Sequence, residues 1–484
     1  GSIYTNSTLA SGDEHTCAIL DDASVSCWGN NNIGQLGDGT ATQRNTPAQT
    51  SSLGTGRTAV AISSGDSHTC AILDDASVSC WGSNAWGQLG DGTTTQRNTP
   101  TQTSSLGTGR TAVAISSGDS HTCAILDDAS VSCWGYNAWG QLGDGTGGDF
   151  TNDYDRNTPT QISSLGTGRT AVAISSGDYH TCAVLDDASV SCWGYNAYGQ
   201  LGDGTTTNRN TPTQTSSLGT GRTAVALSSG TYHTCAVLDD ASVSCWGRNN
   251  YGQLGDGTIT NRGTPTQTST LGTGRTAVAI SSGGYLTCAI LDDGTVSCWG
   301  RNLAGGLGDG TTTQRNTPTQ TSSLGTGRTA VAIASGKFHT CTVLDDGYVS
   351  CWGSNDKGQL GDGTATELRY TPAQTSSLGT IQNPRTAALS ERDWDNDGIL
   401  NIFDSTPYTV LDADGDGIPD FTDDCPDSAG NSTIDLLGCP DSDGDGYSDS
   451  GDSFPNDGNE TSDSDGDGTG DNGDVFPNDG NETS

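Results

Sequence analysis

Apolar positions in this chain come in short runs broken by polar, glycine-rich turns, and no run has the length of a helical stripe. Thr58–Ser63 is apolar and β-branched, and His68–Leu73 and Val78–Trp81 flank an Asp-Asp-Ala-Ser turn. Each reads as a strand. Thr99–Thr103 reads as a fourth strand at an edge, where the missing N–H of proline breaks no ladder. The pattern returns every 53 residues, seven times, with the first Cys of each unit at Cys17, Cys70, Cys123, Cys182, Cys235, Cys288 and Cys341. One step is six residues longer, and the insertion, within Gly147–Asp155, reads as a surface loop. Four strands per unit at a period near 50 predicts an all-β, seven-bladed β-propeller over residues 1–390 rather than a helical solenoid. Leu9–Ser11 and Arg385–Ser390 both match the opening strand of the unit. Eight openings for seven blades predict that one end completes a shared blade. The other is left to pack outside or to engage a neighbouring molecule.

The most regular part of the unit is Gly-x-Asn-x-x-Gly-Gln-Leu-Gly-Asp-Gly after a Cys-Trp-Gly strand. It stands at Gly29–Gly39 and in every later unit, with Gly306 replacing Gln in the sixth. This motif resembles the regulator of chromosome condensation repeat family over residues 1 to about 390. The resemblance implies a seven-bladed propeller. It does not bring with it the nucleotide-exchange activity of the family's eukaryotic member, because one fold hosts several functions.

Composition narrows the classes. Only 31% of the 484 residues are hydrophobic and 70 are Gly, which suits short strands and turns. No stretch is long and apolar enough to predict a transmembrane segment. The chain has no Met, so Gly1 reads as a processed N-terminus or a tag remnant. A net charge of -39 argues against a nucleic-acid partner, which would draw on clustered Lys and Arg. The 16 Cys fall into seven C-x9-C pairs and one pair in the tail. The seven are Cys17 with Cys27, Cys70 with Cys80, Cys123 with Cys133, Cys182 with Cys192, Cys235 with Cys245, Cys288 with Cys298, and Cys341 with Cys351. The eighth is Cys425 with Cys439. The spacing is too wide for a zinc motif and predicts disulfides across hairpins, hence a secreted, extracellular or cell-surface protein.

The other repeated residues read as scaffold. His15, His68, His121, His180, His233 and His339 all precede Thr-Cys, with Leu286 in the seventh place. Six copies suggest a polar contact within each blade, since a reaction needs one converged site. Trp28, Trp81, Trp134, Trp193, Trp246, Trp299 and Trp352 read as anchors between blades. Trp86, Trp139, Tyr198 and Tyr251 share one loop position, matched by Ile33 and Leu303. It reads equally as a binding rim or as packing at a turn. No nucleophile meets a base and no phosphate loop is present, so the chain reads as a non-enzyme.

From Glu391 the chain changes character: residues 391–484 carry 27 acidic residues and one Arg, Arg392. Four loops there repeat one formula, with Asp at positions 1, 3, 5 and 12, Gly at 6, a carbonyl donor at 7 and Asn or Asp at 9. The candidate ligands are Asp393, Asp395, Asp397, Ile399, Asn401 and Asp404; Asp412, Asp414, Asp416, Ile418, Asp420 and Asp423; Asp441, Asp443, Asp445, Tyr447, Asp449 and Asp452; and Asp463, Asp465, Asp467, Thr469, Asp471 and Asp474. Alternate hard oxygens around a sharp turn suit Ca²⁺, about four ions in all, and suit Mg²⁺ poorly. Asp at position 12, where an EF-hand has Glu, and the missing flanking helices argue against a calcium sensor. The segment resembles thrombospondin type 3 repeats, which implies an irregular, calcium-stabilised acidic tail. Its last two loops recur at 22 residues and the pattern is cut at Ser484, which suggests that the natural protein continues or is cleaved there. Asn6, Asn431, Asn459 and Asn481 are glycosylation candidates.

Two functions fit. The first is a secreted, calcium-binding structural or assembly protein of the cell surface or extracellular matrix, such as a self-associating filament subunit. The second is a soluble or tethered propeller that binds an extracellular protein or glycan.

Overall fold

The computed structural model describes residues 7–147, 154–366, 368–376, 378 and 381, and in the tail residues 425, 428, 432, 439–444, 447–459, 461–464 and 471–472. The chain divides into two compact units, Ser2–Pro384 and Arg385–Ser484 with Gly1.

The first unit is an all-β propeller of seven four-stranded antiparallel sheets, with 28 strands and no α-helix among the described residues. Blade one is β1 (Leu9–Ser11), β2 (His15–Ile19), β3 (Val25–Gly29) and β4 (Arg44–Gln49). Blade two, β5 (Ala59–Ser64), β6 (His68–Leu73), β7 (Val78–Gly82) and β8 (Arg97–Gln102), sets the pattern of the rest. The second and third strands of blade two are fully buried, while the fourth, Arg97–Gln102, is partly exposed throughout and carries the proline expected of an edge.

The cores lie between blades. Seven apolar clusters each join the middle strands of one blade to the next blade and its tryptophan. Cys17, Ile19, Val25 and Leu36 of blade one, for example, pack on Ala59, Ile62, Leu73 and Trp81 of blade two. All seven strand tryptophans are wholly buried, as their role as anchors requires.

The hairpin register sets each Cys pair directly opposite, as in Cys70↔Cys80. Each blade therefore carries one disulfide across its middle hairpin, with Cα atoms 4.1 Å apart. In blades one to four these join Cys17 to Cys27, Cys70 to Cys80, Cys123 to Cys133, and Cys182 to Cys192. In blades five to seven they join Cys235 to Cys245, Cys288 to Cys298, and Cys341 to Cys351. Cys425 and Cys439 form the eighth, in the tail, and no described cysteine is free.

The histidines correct the sequence reading: their polar contact runs between blades, not within one. His15 Nε2 meets Thr69 Oγ1 at 2.8 Å, His68 meets Thr122 at 2.9 Å, and the relay continues until His339 meets Thr16 at 3.0 Å. Each threonine hydroxyl gives its one proton to a backbone carbonyl, as Thr69 does to Gln35 at 3.0 Å. The imidazole Nε2 must therefore donate, and Nδ1, which has no partner, carries no proton. In blade six the relay is broken at Leu286. A Cβ on Gly306 would lie 2.8 Å from Leu286 Cδ2, so the two departures from the repeat are one packing adjustment.

The ring closes through both ends of the propeller. Leu9–Ser11 is the inner strand of blade one and is shorter than its equivalents. Ile381 supplies the missing register position: it bridges Leu20, and its N–H donates to Gly347 O at 3.0 Å, as Ala59 N–H does to Ala23 O. Leu9–Ser11 is thus paired inside blade one. Arg385–Ser390 lies outside the described residues.

Candidate binding face around the propeller axis

In an antiparallel meander the first–second and third–fourth loops of every blade emerge on one face. The second–third hairpins and the connections to the next blade emerge on the other. The opposite face is nearly uniform: Arg57 pairs with Asp75 at 2.6 Å, Arg222 with Asp240 at 2.6 Å and Arg275 with Asp293 at 2.6 Å.

The first face combines an invariant outer part with a varied inner one. In the Gly-Asp-Gly turns each aspartate is held by an arginine, from Asp38–Arg44 at 2.6 Å to Asp362–Arg369 at 2.8 Å. Burial would raise the Asp38 carboxyl, but hydrogen bonds from Thr40, Arg44 and Asn31 bring it below the ordinary value. Asn31 ties the same turn, donating to Asp38 and accepting from Leu36 N–H at 3.0 Å.

Closer to the axis the blades differ. Seven Ser-Gly-X triplets, one per blade, line a single axial cavity of about 100 Å³. X is Asp13, Asp66, Asp119 and Asp178 in blades one to four, then Thr231, Gly284 and Lys337. Lys337 forms an ion pair with Asp13 across the seam between blades seven and one. Burial, then the neighbouring Asp66, pushes Asp13 up to about 7. Burial likewise pushes Asp178 up to about 7 and Asp66 and Asp119 up to about 6. Burial alone would lower Lys337, yet Asp13 beside it holds the ammonium above its ordinary value.

The next residue outward is Glu14, Ser67, Ser120, Tyr179, Tyr232, Tyr285 and Phe338 in blade order. With the third–fourth loops these side chains form a half-buried aromatic arc. Trp139 lies against Tyr195 at 4.6 Å, Tyr198 against Tyr232 at 5.1 Å, and Tyr179 stacks on Tyr232 at 5.9 Å. Arg248 lies over Tyr198 at 4.9 Å, and Arg301 over Tyr251 at 5.0 Å and Phe338 at 5.2 Å. The arc adjoins the acidic mouth: the Tyr179 hydroxyl is raised by burial and then by Asp119 and Asp178.

The rim position marked in the sequence is therefore part of a larger surface. Trp86, Trp139, Tyr198 and Tyr251 belong to it, but the sixth equivalent is Ala304, not Leu303. Gly305 N–H bonds Asn302 O as Gly34 N–H bonds Asn31 O, which fixes the register. The axial aspartates were missed because they read as one more repeated residue. The available signal was their replacement by Thr, Gly and Lys in the last three units.

The candidate calcium loops are only partly described. All candidates from Asp393 to Asp423 lie outside the described residues, as do Asp445, Asp465, Asp467, Thr469 and Asp474. Of the third loop Asp441, Asp443, Tyr447, Asp449 and Asp452 are described, and of the fourth Asp463 and Asp471. The two loops share a turn: the position-9 carboxylate accepts from the position-2 serine N–H, Ser442 to Asp449 at 2.7 Å and Ser464 to Asp471 at 2.8 Å. Among the described residues no group of three or more His, Cys, Asp or Glu side chains is placed to hold a metal. Asn459 is exposed; Asn6, Asn431 and Asn481 lie outside the described residues. No helix among the described residues is long and apolar enough to cross a membrane.

Comparison with known proteins agrees with the fold. A family model described as RCC1-like domain matches residues 4–328, and one described as regulator of chromosome condensation (RCC1) repeat matches residues 330–359. The chain is 31% identical over 364 residues to the ultraviolet-B receptor UVR8 of Arabidopsis thaliana, covering 75% of this chain and 80% of that protein. It is 31% identical over 359 residues to the human E3 ubiquitin-protein ligase HERC2, covering 74% of this chain but 7% of the ligase. Among solved structures, human WBSCR16 aligns with a TM-score of 0.65 at 21% identity, over 74% of this chain and 94% of that one. Yeast RCC1 (Prp20), solved bound to Kap60, aligns with a TM-score of 0.65 at 19% identity, over 78% of this chain and 86% of that one.

Proposed function

The chain belongs to the RCC1-like family of seven-bladed propellers, and from that premise we propose that it is a non-enzymatic module that binds a protein through the varied face around its axis. One observation carries this reading. In blades that are otherwise near copies, the substitutions gather on one face, where they build an aromatic, charged surface beside an acidic mouth. Packing alone would keep these positions alike, as it keeps the tryptophans and the Gly-Asp-Gly turns alike. Yeast RCC1, a protein that contains this fold, was solved bound to a protein partner, Kap60.

The environment belongs to the same proposal. Eight disulfides suit an oxidising, extracellular compartment. The acidic tail is a calcium-organised connector: its donors are hard oxygens at alternate positions, and without cations its charges repel one another. Adding calcium to the chelated protein should shrink its hydrodynamic radius; an unchanged radius would remove calcium from the proposal. Leu9–Ser11 is paired in blade one and is not a spare strand, while the other opening strand, Arg385–Ser390, lies outside the described residues.

The binding reading is tested with a photo-cross-linking residue placed at Ala197 on the varied face or at Thr220 on the opposite face, both exposed. Adducts to another protein in the native setting are expected from position 197 and not from 220. Adducts from 220 alone, or from neither, reject the reading. Adducts between copies of the chain from 197 would make the partner a second copy.

A further inference from the structure

Every Gly-Asp-Gly aspartate has its own arginine, but the axial mouth holds four carboxyl groups against the single ammonium of Lys337, an excess of 4 − 1 = 3. The carboxyls also lean on one another. The charge of Asp66 raises the Asp13 carboxyl, that of Asp119 raises Asp66, and that of Asp178 raises Asp119. Burial is the larger cause in all four, so a carboxylate charge here is costly until a cation meets it.

A second observation points into the same cavity. The hydroxyls of Ser176, Ser229, Ser282 and Ser335 each donate to the serine carbonyl of the blade before, at 3.2 to 3.5 Å. Ser117, the equivalent residue in blade three, lines the cavity, is 7% exposed, and its hydroxyl has no partner. It sits in the acidic arc, next to Asp119. Beside the acidic arc the rings of Tyr179 and Tyr232 stack 5.9 Å apart; burial raises both hydroxyls, and they lie near enough to Asp178 for that carboxyl to raise them further. The volume, about 100 Å³, fits a side-chain headgroup and not a drug-sized ligand, which needs ~300 Å³ or more.

Resting on the reading of this face as a protein-binding surface, we propose that the axial mouth is a socket for one cationic side chain, a lysine ammonium or arginine guanidinium, projecting from the partner. Lys337 is the internal example: an ammonium already sits against Asp13, and Asp66, Asp119 and Asp178 are left for a second cation. A bare metal ion fits less well, because no three of these carboxyls converge closely enough to ligate one. A guanidinium reaches several of them at once, accepts no hydrogen bonds, and can give one to the Ser117 oxygen.

The test uses the full chain with calcium present and three blocked tripeptides, Gly-Arg-Gly, Gly-Lys-Gly and Gly-citrulline-Gly, titrated by calorimetry. The arginine and lysine peptides should bind, and weaken as salt rises. Citrulline, which keeps the shape and loses the charge, should bind at least tenfold more weakly. The Asp119→Asn/Asp178→Asn double variant should lose at least tenfold affinity. The Asp75→Asn/Asp128→Asn double variant, the same two-charge change on the opposite face, should lose none, which separates the socket from general attraction to an acidic protein. Lys337→Gln, which frees Asp13, should tighten binding about threefold or more, and it keeps the test alive if the double variant does not fold. Equal binding of citrulline, or an affinity untouched in both the double variant and Lys337→Gln, overturns the socket. If adducts from Ala197 persist while the peptides fail to bind, the socket falls and the binding face stands; if those adducts are absent, the reading beneath it has failed.

Discussion

The two faces of the propeller use the same residue types to opposite ends. On the hairpin face, arginine and aspartate repeat in register, pair at contact distance and stay about 40% exposed, as in Arg222 with Asp239. Exposed pairs of this kind contribute little to stability, ~1 kcal/mol at most. On the axial face the arginines lie over tyrosine rings, and four aspartates crowd one small cavity with one lysine. In a repeat protein the usual clues are inverted. The residues that recur most faithfully, His-Thr-Cys, Cys-Trp-Gly and Gly-Asp-Gly, hold blade to blade. The few that change from blade to blade mark where the ring meets something else.

The sharpest way to break this comparison is acid, because the interior and the axial mouth respond to pH with opposite signs. The buried imidazoles are pushed down, to about 3 for five of them and about 4 for His339, first by burial. Protonating Nδ1 would also create a buried N–H with no acceptor. The unfolded chain takes these six protons near pH 6.5 and the folded chain does not, so stability falls as pH drops below about 6.5. The four axial carboxyls behave the other way. Their folded values lie near 6 to 7, above the unfolded 3.8, so the folded state binds their protons first and they destabilise as pH rises through that range. From these ten groups alone the unfolded state holds an excess of 6 − 4 = 2 protons around pH 5, a slope of roughly 3 kcal/mol per pH unit. Denaturant unfolding between pH 6 and 4.5 should show it. Replacing Asp13, Asp66, Asp119 and Asp178 together by Asn should steepen the slope about threefold, towards six protons. A slope unchanged by that replacement would show that the mouth does not hold its protons.

How much of this could be read beforehand follows from the same contrast. Periodicity made the seven blades, their strands and the Cys pairs legible, because a hairpin that returns in register leaves little freedom. The four strands of blade two lie within about two residues of their expected bounds. The histidine contact was misplaced because sequence spacing cannot separate a neighbour within a blade from one 54 residues on, as His15 is from Thr69. Ring closure by Ile381 left no motif at all, since one bridge and one hydrogen bond suffice. The binding face was half legible. Its tryptophans and tyrosines stood out, but the axial aspartates hid inside the repeat, and only the fold brings Asp13 and Lys337 together across 324 residues.

A smaller and more local test asks whether blade six departs from the others by coordinated change. Leu286 stands where every other blade has histidine, and Gly306 where every other has glutamine. Thr340 waits at the gap: its hydroxyl donates to Gly306 O at 3.1 Å, so it is ready to accept from an imidazole as Thr69 does. Gly306→Gln alone should drive a Cβ into Leu286 and destabilise by ~1–3 kcal/mol, the usual range for overpacking. Leu286→His alone should also destabilise, because it removes a leucine that is 2% exposed and leaves space beside Gly306. Together they should restore the relay around all seven blades. Two neighbours in one contact couple by ~0.5–3 kcal/mol, so the double variant should be more stable than the two single losses sum to. Thermal unfolding of the four proteins measures that coupling directly. Strict additivity would mean that Leu286 and Gly306 changed independently, and blade six would then belong with the varied positions rather than with the scaffold.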